Sequence, residues 1–157
     1  LESEQASGLT ALDYYQGFAA RVDHVRRELR TLIGRLRDQG ATVAAYGAAA
    51  KGATLLNTVG LTTDLVSYVV DRNTHKQGRR MPGTHQPIDD PSVLVERRPD
   101  YVLVLAWNFF DEIVAQQRAY AALGGRFILP VPEPRIVDPT AAPGPSPRPV
   151  PGAPSRP

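Results

Sequence analysis

Apolar residues recur at three- and four-residue steps through Leu9, Leu12, Tyr15, Phe18, Val22, Val25, Leu29, Leu32, Ile33 and Leu36. That spacing is the stripe of one long amphipathic helix. Thr10 with Asp13 offers a capping-box-like start, and Gly40 offers a stop. The period then changes. Residues 41–46, ATVAAY, form a short apolar run that reads as a buried strand, and residues 53–60, ATLLNTVG, read as a helix. A second buried strand is expected over 65–70, ending at Asp71. Residues 72–86 are polar and rich in turn formers, so they read as a loop, with a short strand possible over 85–88. A short helix follows over 91–96, with Pro early in it. Residues 101–107, YVLVLAW, give the strongest strand. Asn108 is placed to cap a helix over 109–122, Gly124 and Gly125 stop it, and RFIL over 126–129 is the last strand.

Strands that are apolar at successive positions are buried on both faces. Their alternation with helices predicts a parallel sheet covered on both sides. The expected fold is α/β: a three-layer, Rossmann-like, doubly wound and mainly parallel sheet of about five strands. It should occupy residues 10–137, after a linker over 1–9. Residues 138–157 hold 8 of the 15 prolines and no aromatic residue. They cannot bury enough apolar surface to offset their ordering entropy, so a disordered, partly polyproline II tail is expected. Its proline spacing would also suit a proline-groove module.

Composition narrows the function classes. The 157 residues include no cysteine, which excludes disulfides and thiolate zinc sites. Three scattered histidines give no metal site. A net charge of +2 is too small to argue for nucleic acid. No apolar run reaches the roughly 18 residues of a membrane span, and no leader is evident, so a cytoplasmic protein is expected. The first residue is Leu rather than Met, as in a piece of a longer chain.

In a doubly wound sheet the ligand lies beyond the carboxyl ends of the strands, at the switch point. That rule selects three loops. The first, Gly47-Ala48-Ala49-Ala50-Lys51-Gly52, joins a strand to a helix and resembles a dinucleotide fingerprint with Ala at the middle glycine. Asp71 stands where a ribose-binding acid would. The second loop gathers Arg72, Lys76, Arg79 and Arg80 with Asn73 and Gln77, a set suited to phosphate or hydroxyls. The third places Trp107 and Asn108 after the strongest strand, where an indole can stack on a sugar or base. Each loop also has a plainer reading: tight packing, a solvated charge run and a helix cap. No nucleophilic triad or supported carboxylate pair is evident, so no residue is named as catalytic.

These residues fall into blocks: YGAAAKG (46–52), TLLN (54–57), VVDRNTHKQG (69–78), PGTHQPI (82–88), PDYVLVLAWN (99–108), Glu112-Ile113 and GGRFILPVP (124–132). In this order they resemble the C-terminal domain of S-adenosylmethionine-dependent sugar C-methyltransferases. The resemblance covers roughly residues 10–137. It implies a protein that methylates a carbon of a nucleotide-linked keto-deoxysugar, with dTDP as the expected nucleotide. It also implies two preceding parts, a cysteine-ligated zinc domain and a central domain that binds S-adenosyl-L-methionine and deprotonates the sugar. No cofactor is then expected on this chain alone, and the fragment alone should be inactive. The resemblance implies a ligand-facing role for Gly47, Lys51, Gly52, Asp71, Asn73, Lys76, Gln77, Trp107 and Asn108. Two other readings stay open: a stand-alone NAD(P)-binding oxidoreductase-like domain, which the fingerprint alone suggests, and a non-catalytic interaction domain using the proline tail.

Overall fold

The computed structural model describes residues 2–141, with side chains from residue 13 onward. The proline tail beyond residue 141 lies outside the described residues. Helix α1 spans Glu2–Asp38, 37 residues, or about 55 Å at the α-helical rise. It therefore starts earlier than a Thr10 cap would allow, and the expected linker over 1–9 is helical from Glu2. Strand β1 (Val43–Tyr46) leads into α2 (Ala50–Val59), then β2 (Val69–Val70), β3 (Ile88–Asp89) and α3 (Val93–Arg97). Strand β4 (Tyr101–Val104) is followed by a 3-10 turn (Trp107–Phe109), α4 (Phe110–Gln116), α5 (Arg118–Ala122), β5 (Arg126–Leu129) and β6 (Arg135–Val137).

The six strands lie in the order β3-β2-β1-β4-β5-β6. The first five are parallel, and β6 pairs antiparallel with β5. The sheet is the expected doubly wound α/β architecture with one edge strand more. Sequence reading missed β6 because Arg135 and Ile136 are exposed and prolines precede it, so no buried apolar run marks it. Strand β2 is shorter than the 65–70 run. Leu65 and Val66 N–H groups donate to the Thr62 carbonyl at 3.0 and 2.9 Å, which keeps those residues in a turn. The helix expected over 109–122 is broken at Gln117, which has φ −96° and ψ 29°. Asn108 makes no side-chain cap; the residues flanking the helical turns there are Ala106 and Phe109.

The period of two along each strand builds both cores. Val43, Ala45, Val69, Leu103 and Ile128 pack against Leu29, Ile33 and Leu36 of α1 and Leu56 and Val59 of α2. Ala44, Tyr46, Val70, Val102, Val104 and Phe127 face the other way, onto Leu94 of α3, Ile113 of α4 and Tyr120 of α5. Tyr120 fits this apolar layer because its hydroxyl donates to the Pro99 carbonyl at 2.7 Å. Arg30 of α1 donates to the Val59 carbonyl at 3.3 Å and to the Gly60 carbonyl, tying α1 to the end of α2. These layers set the switch point between β1 and β4, where connections leave to opposite faces of the sheet.

Candidate functional site

The turn after β1 is shaped by contact with the turn after β4. Gly47 has φ +102°, and a Cβ there would stand 2.9 Å from Ala106 Cβ. A Cβ on Gly52 would meet Leu105 Cβ at 2.8 Å and the Gly47 carbonyl at 3.0 Å. Both glycines are thus explained by the close approach of two strand ends at the switch point. Gly52 faces packed protein rather than a ligand.

Asp71 is a brace for this turn. One carboxylate oxygen accepts the Ala48 N–H at 2.7 Å, and the other accepts the Asn73 N–H at 2.8 Å. Lys76 Nζ donates to the Ala48 carbonyl at 2.9 Å and stands 3.6 Å from the same Asp71 oxygen that holds Ala48. The Asp71 side chain is only 14% exposed. Gln77 donates to the Asp71 carbonyl at 2.9 Å and to the Asp90 carboxylate at 3.1 Å, so it links the ends of β2 and β3. Asn73 accepts the His75 N–H at 3.0 Å and shapes its own loop. The same loop is anchored further along by Asn57 of α2, whose amide donates to the Pro82 carbonyl at 2.9 Å. Lys51 lies over the Trp107 ring, 4.6 Å from its centroid, and Asn108 is exposed on the turn beyond.

The open space lies beside these residues, on the α4 side of the sheet. A depression of about 290 Å³ is lined by Tyr46, Gly47, Asp71, Arg72, Phe109 and Glu112, among others. It shares Arg72 and Gln116 with a second of about 410 Å³, lined also by Asp90, Pro91 and Gln117. The two form one cleft over the carboxyl ends of β1, β2 and β3, lined by apolar as well as polar groups. Of the nine residues expected to face a ligand, Gly47 and Asp71 line it. Lys51, Gly52, Asn73, Lys76, Gln77, Trp107 and Asn108 do not.

Within the cleft the Asp90 carboxyl is held below the ordinary carboxylate range, first by the Ser92 backbone N–H and side chain, then by Gln77. Glu112 accepts the Gln116 amide at 2.9 Å. The Tyr46 hydroxyl titrates above its ordinary range, chiefly through burial, with Arg72 opposing the rise and Asp71 adding to it.

A third depression, of about 290 Å³, has different chemistry. It is an apolar groove between α1 and α2, lined by Phe18, Val22, Val25, Leu55, Val59 and Val131, with Arg21 and Arg26 at its rim. Tyr14, Tyr15, Phe18 and Val22 on α1 are all exposed, although they continue the stripe that Leu29, Ile33 and Leu36 bury below them.

Comparison with known proteins gives this arrangement its context. Residues 1–132 match the family described as the C-methyltransferase C-terminal domain. The chain belongs to that family. It is also 39% identical, over 137 residues, to C-methyltransferase NovU of Streptomyces niveus. That match covers 87% of this chain and 33% of the relative, so the chain spans about one third of the relative's length.

In this C-methyltransferase C-terminal domain, the repeated small residues and the KQG loop thus build the turn around Ala48 and Asp71. Sequence reading missed Tyr46, Phe109, Glu112 and Gln116 as site residues, and it counted Arg72 only among the loop cations. A signal was present for three of them. Phe109, Glu112 and Gln116 follow three- and four-residue steps at the start of the helix after β4, the face that looks toward the switch point. Among the described residues, no helix is long and apolar enough to cross a membrane.

Proposed function

We propose that this chain is the substrate-side domain of an S-adenosylmethionine-dependent C-methyltransferase acting on a nucleotide-linked keto-deoxysugar. The observation that carries the reading is the cleft at the switch point of a C-methyltransferase C-terminal domain. Its lining offers a guanidinium, carboxylates, amides and an aromatic ring, the groups that bind a hydroxylated ligand. The preceding domains of the whole enzyme supply the methyl donor and the groups that deprotonate the sugar. This domain binds and orients the sugar nucleotide and closes the site over it. The exposed α1 stripe supports that division, since it offers apolar surface where a neighbouring domain can dock.

The glycine turn itself does not fit an adenosine ribose, whether of S-adenosylmethionine or of NAD(P). Such a site uses the acid at the end of β2 to accept ribose hydroxyls. Here each Asp71 oxygen accepts a backbone N–H group and Lys76 stands beside one of them, which leaves the carboxylate fewer lone pairs for ribose hydroxyls. This favours the sugar nucleotide over the oxidoreductase reading.

The test is an assay of the intact enzyme with labelled S-adenosylmethionine and a dTDP-linked keto-deoxysugar. Label transferred to a sugar carbon supports the proposal. No transfer, together with NAD quenching the Trp107 fluorescence of the isolated chain, would favour the oxidoreductase instead.

A further inference from the structure

Tyr14, Tyr15, Phe18 and Val22 crowd into one stretch of α1, each between 43% and 67% exposed. Their steps continue the face that Leu29, Ile33 and Leu36 bury against the sheet. Soluble proteins seldom leave such a run of apolar surface bare unless something docks there. The run leads into a groove closed on its other sides by Leu55 and Val59 of α2 and by Val131-Pro132 beyond β5. An apolar helix face that opens into an apolar groove is a seat for a protruding apolar segment.

The charges at the rim choose the occupant. Arg21 and Arg26 are the charged residues among those that line the groove. Asp23 stands 3.5 Å from Arg26, but both are about half exposed, so the pair is weak. Arg21 has no ion pair among the described residues. A second copy of the chain, seated two-fold on the groove, would set its own Arg21 and Arg26 against these two. Residues 142–157 carry Arg148 and Arg156 and no acid, so they too would bring cation to cation. The other candidate is the part of the enzyme outside this chain, which spans about one third of its relative's length. An apolar segment there with carboxylates beside it matches both the groove and its rim.

We infer that the groove between α1 and α2 seats an apolar segment of the preceding domains, flanked by carboxylates that meet Arg21 and Arg26. The seat rests on the reading proposed above, in which this chain is one domain of a longer C-methyltransferase. It shares no lining residue with the cleft at the switch point, so it fixes how the domains sit rather than binding the sugar nucleotide.

The test is calorimetric melting of the intact enzyme and of the isolated chain, each carrying Phe18→Ser with Val22→Ser or, separately, Arg21→Glu with Arg26→Glu. All four side chains are exposed in the isolated chain, so its melting temperature should move by less than about 2 °C. In the intact enzyme either pair should lower the transition of this domain by about 4 °C or more, toward that of the isolated chain, because a docked partner no longer stabilises it. An unmoved transition in the intact enzyme would overturn the inference. An equal fall in the isolated chain would do so too, since these residues would then serve the domain's own stability. A fall with the serine pair alone would overturn the carboxylate contact. Sedimentation of the isolated wild-type chain as a dimer that either pair abolishes would give the groove to a second copy instead. Methyl transfer by the intact wild-type enzyme is assayed alongside, with labelled S-adenosylmethionine and a dTDP-linked keto-deoxysugar. Absent transfer would sink the proposed function, while the melting shifts read the groove independently, so the two failures are told apart.

Discussion

Replacing Asp71 with Ala distinguishes a structural brace from a ribose ligand. The side chain makes three interactions: the Ala48 N–H at 2.7 Å, the Asn73 N–H at 2.8 Å and Lys76 at 3.6 Å. A partly buried hydrogen bond to a carboxylate contributes about 1.5–3 kcal/mol, and an exposed one about 0.5–1.5 kcal/mol. The ion pair adds under about 1 kcal/mol, because Lys76 is 38% exposed and screened by solvent. The three share one carboxylate and do not add fully. The expected loss is therefore about 2–4 kcal/mol. Equilibrium urea denaturation of the chain should show it as a lower midpoint with an unchanged slope. Asp71→Asn, which keeps one acceptor, should fall between Ala and wild type. A loss below about 0.5 kcal/mol for Asp71→Ala would refute the reasoning. The turn would then be held by something else, and Asp71 would be free to serve a ligand.

Other perturbations probe different parts of the account. Gly52→Ala should destabilise by about 1–3 kcal/mol, because its Cβ would press on Leu105 at 2.8 Å; thermal melting checks this. Asp100 is held below the ordinary carboxylate range, first by the Thr42 N–H at 2.7 Å and, after opposing desolvation, by the Thr42 hydroxyl. Its stabilisation is therefore full above its unfolded pKa, about 4, and is lost as pH falls through the lower folded value. The stability gap between wild type and Asp100→Ala, read from denaturation at a series of pH values, should shrink in that acid range. Phe18→Ser with Val22→Ser should leave the domain's own melting temperature nearly unchanged, since both side chains are exposed. The same pair should weaken binding of the separately produced preceding domains, read by calorimetry.

The architecture was legible because β1, β2 and β4 carry apolar residues at every position, as Val102, Leu103 and Val104 illustrate. Two buried faces leave few alternatives to a covered parallel sheet. Edges were harder. Arg135–Val137 pairs through backbone groups alone, with outer side chains that read as loop. Thr62 pulled Leu65 and Val66 out of a run that looked like strand. The position of the candidate site followed from the switch-point rule, but most of its residues did not. Glycines, Asp71, Lys76 and Gln77 carry conspicuous sequence chemistry, and the fold uses that chemistry to hold two strand ends together. Tyr46 reads in sequence as one more core residue of β1.

The most direct test of the central claim is reconstitution of methyl transfer from parts. The preceding domains and this chain are produced separately, then assayed singly and mixed, with labelled S-adenosylmethionine and a dTDP-linked keto-deoxysugar. The account predicts no turnover by either part alone and label on a sugar carbon when the two are combined. Full turnover by the preceding domains without this chain would contradict it.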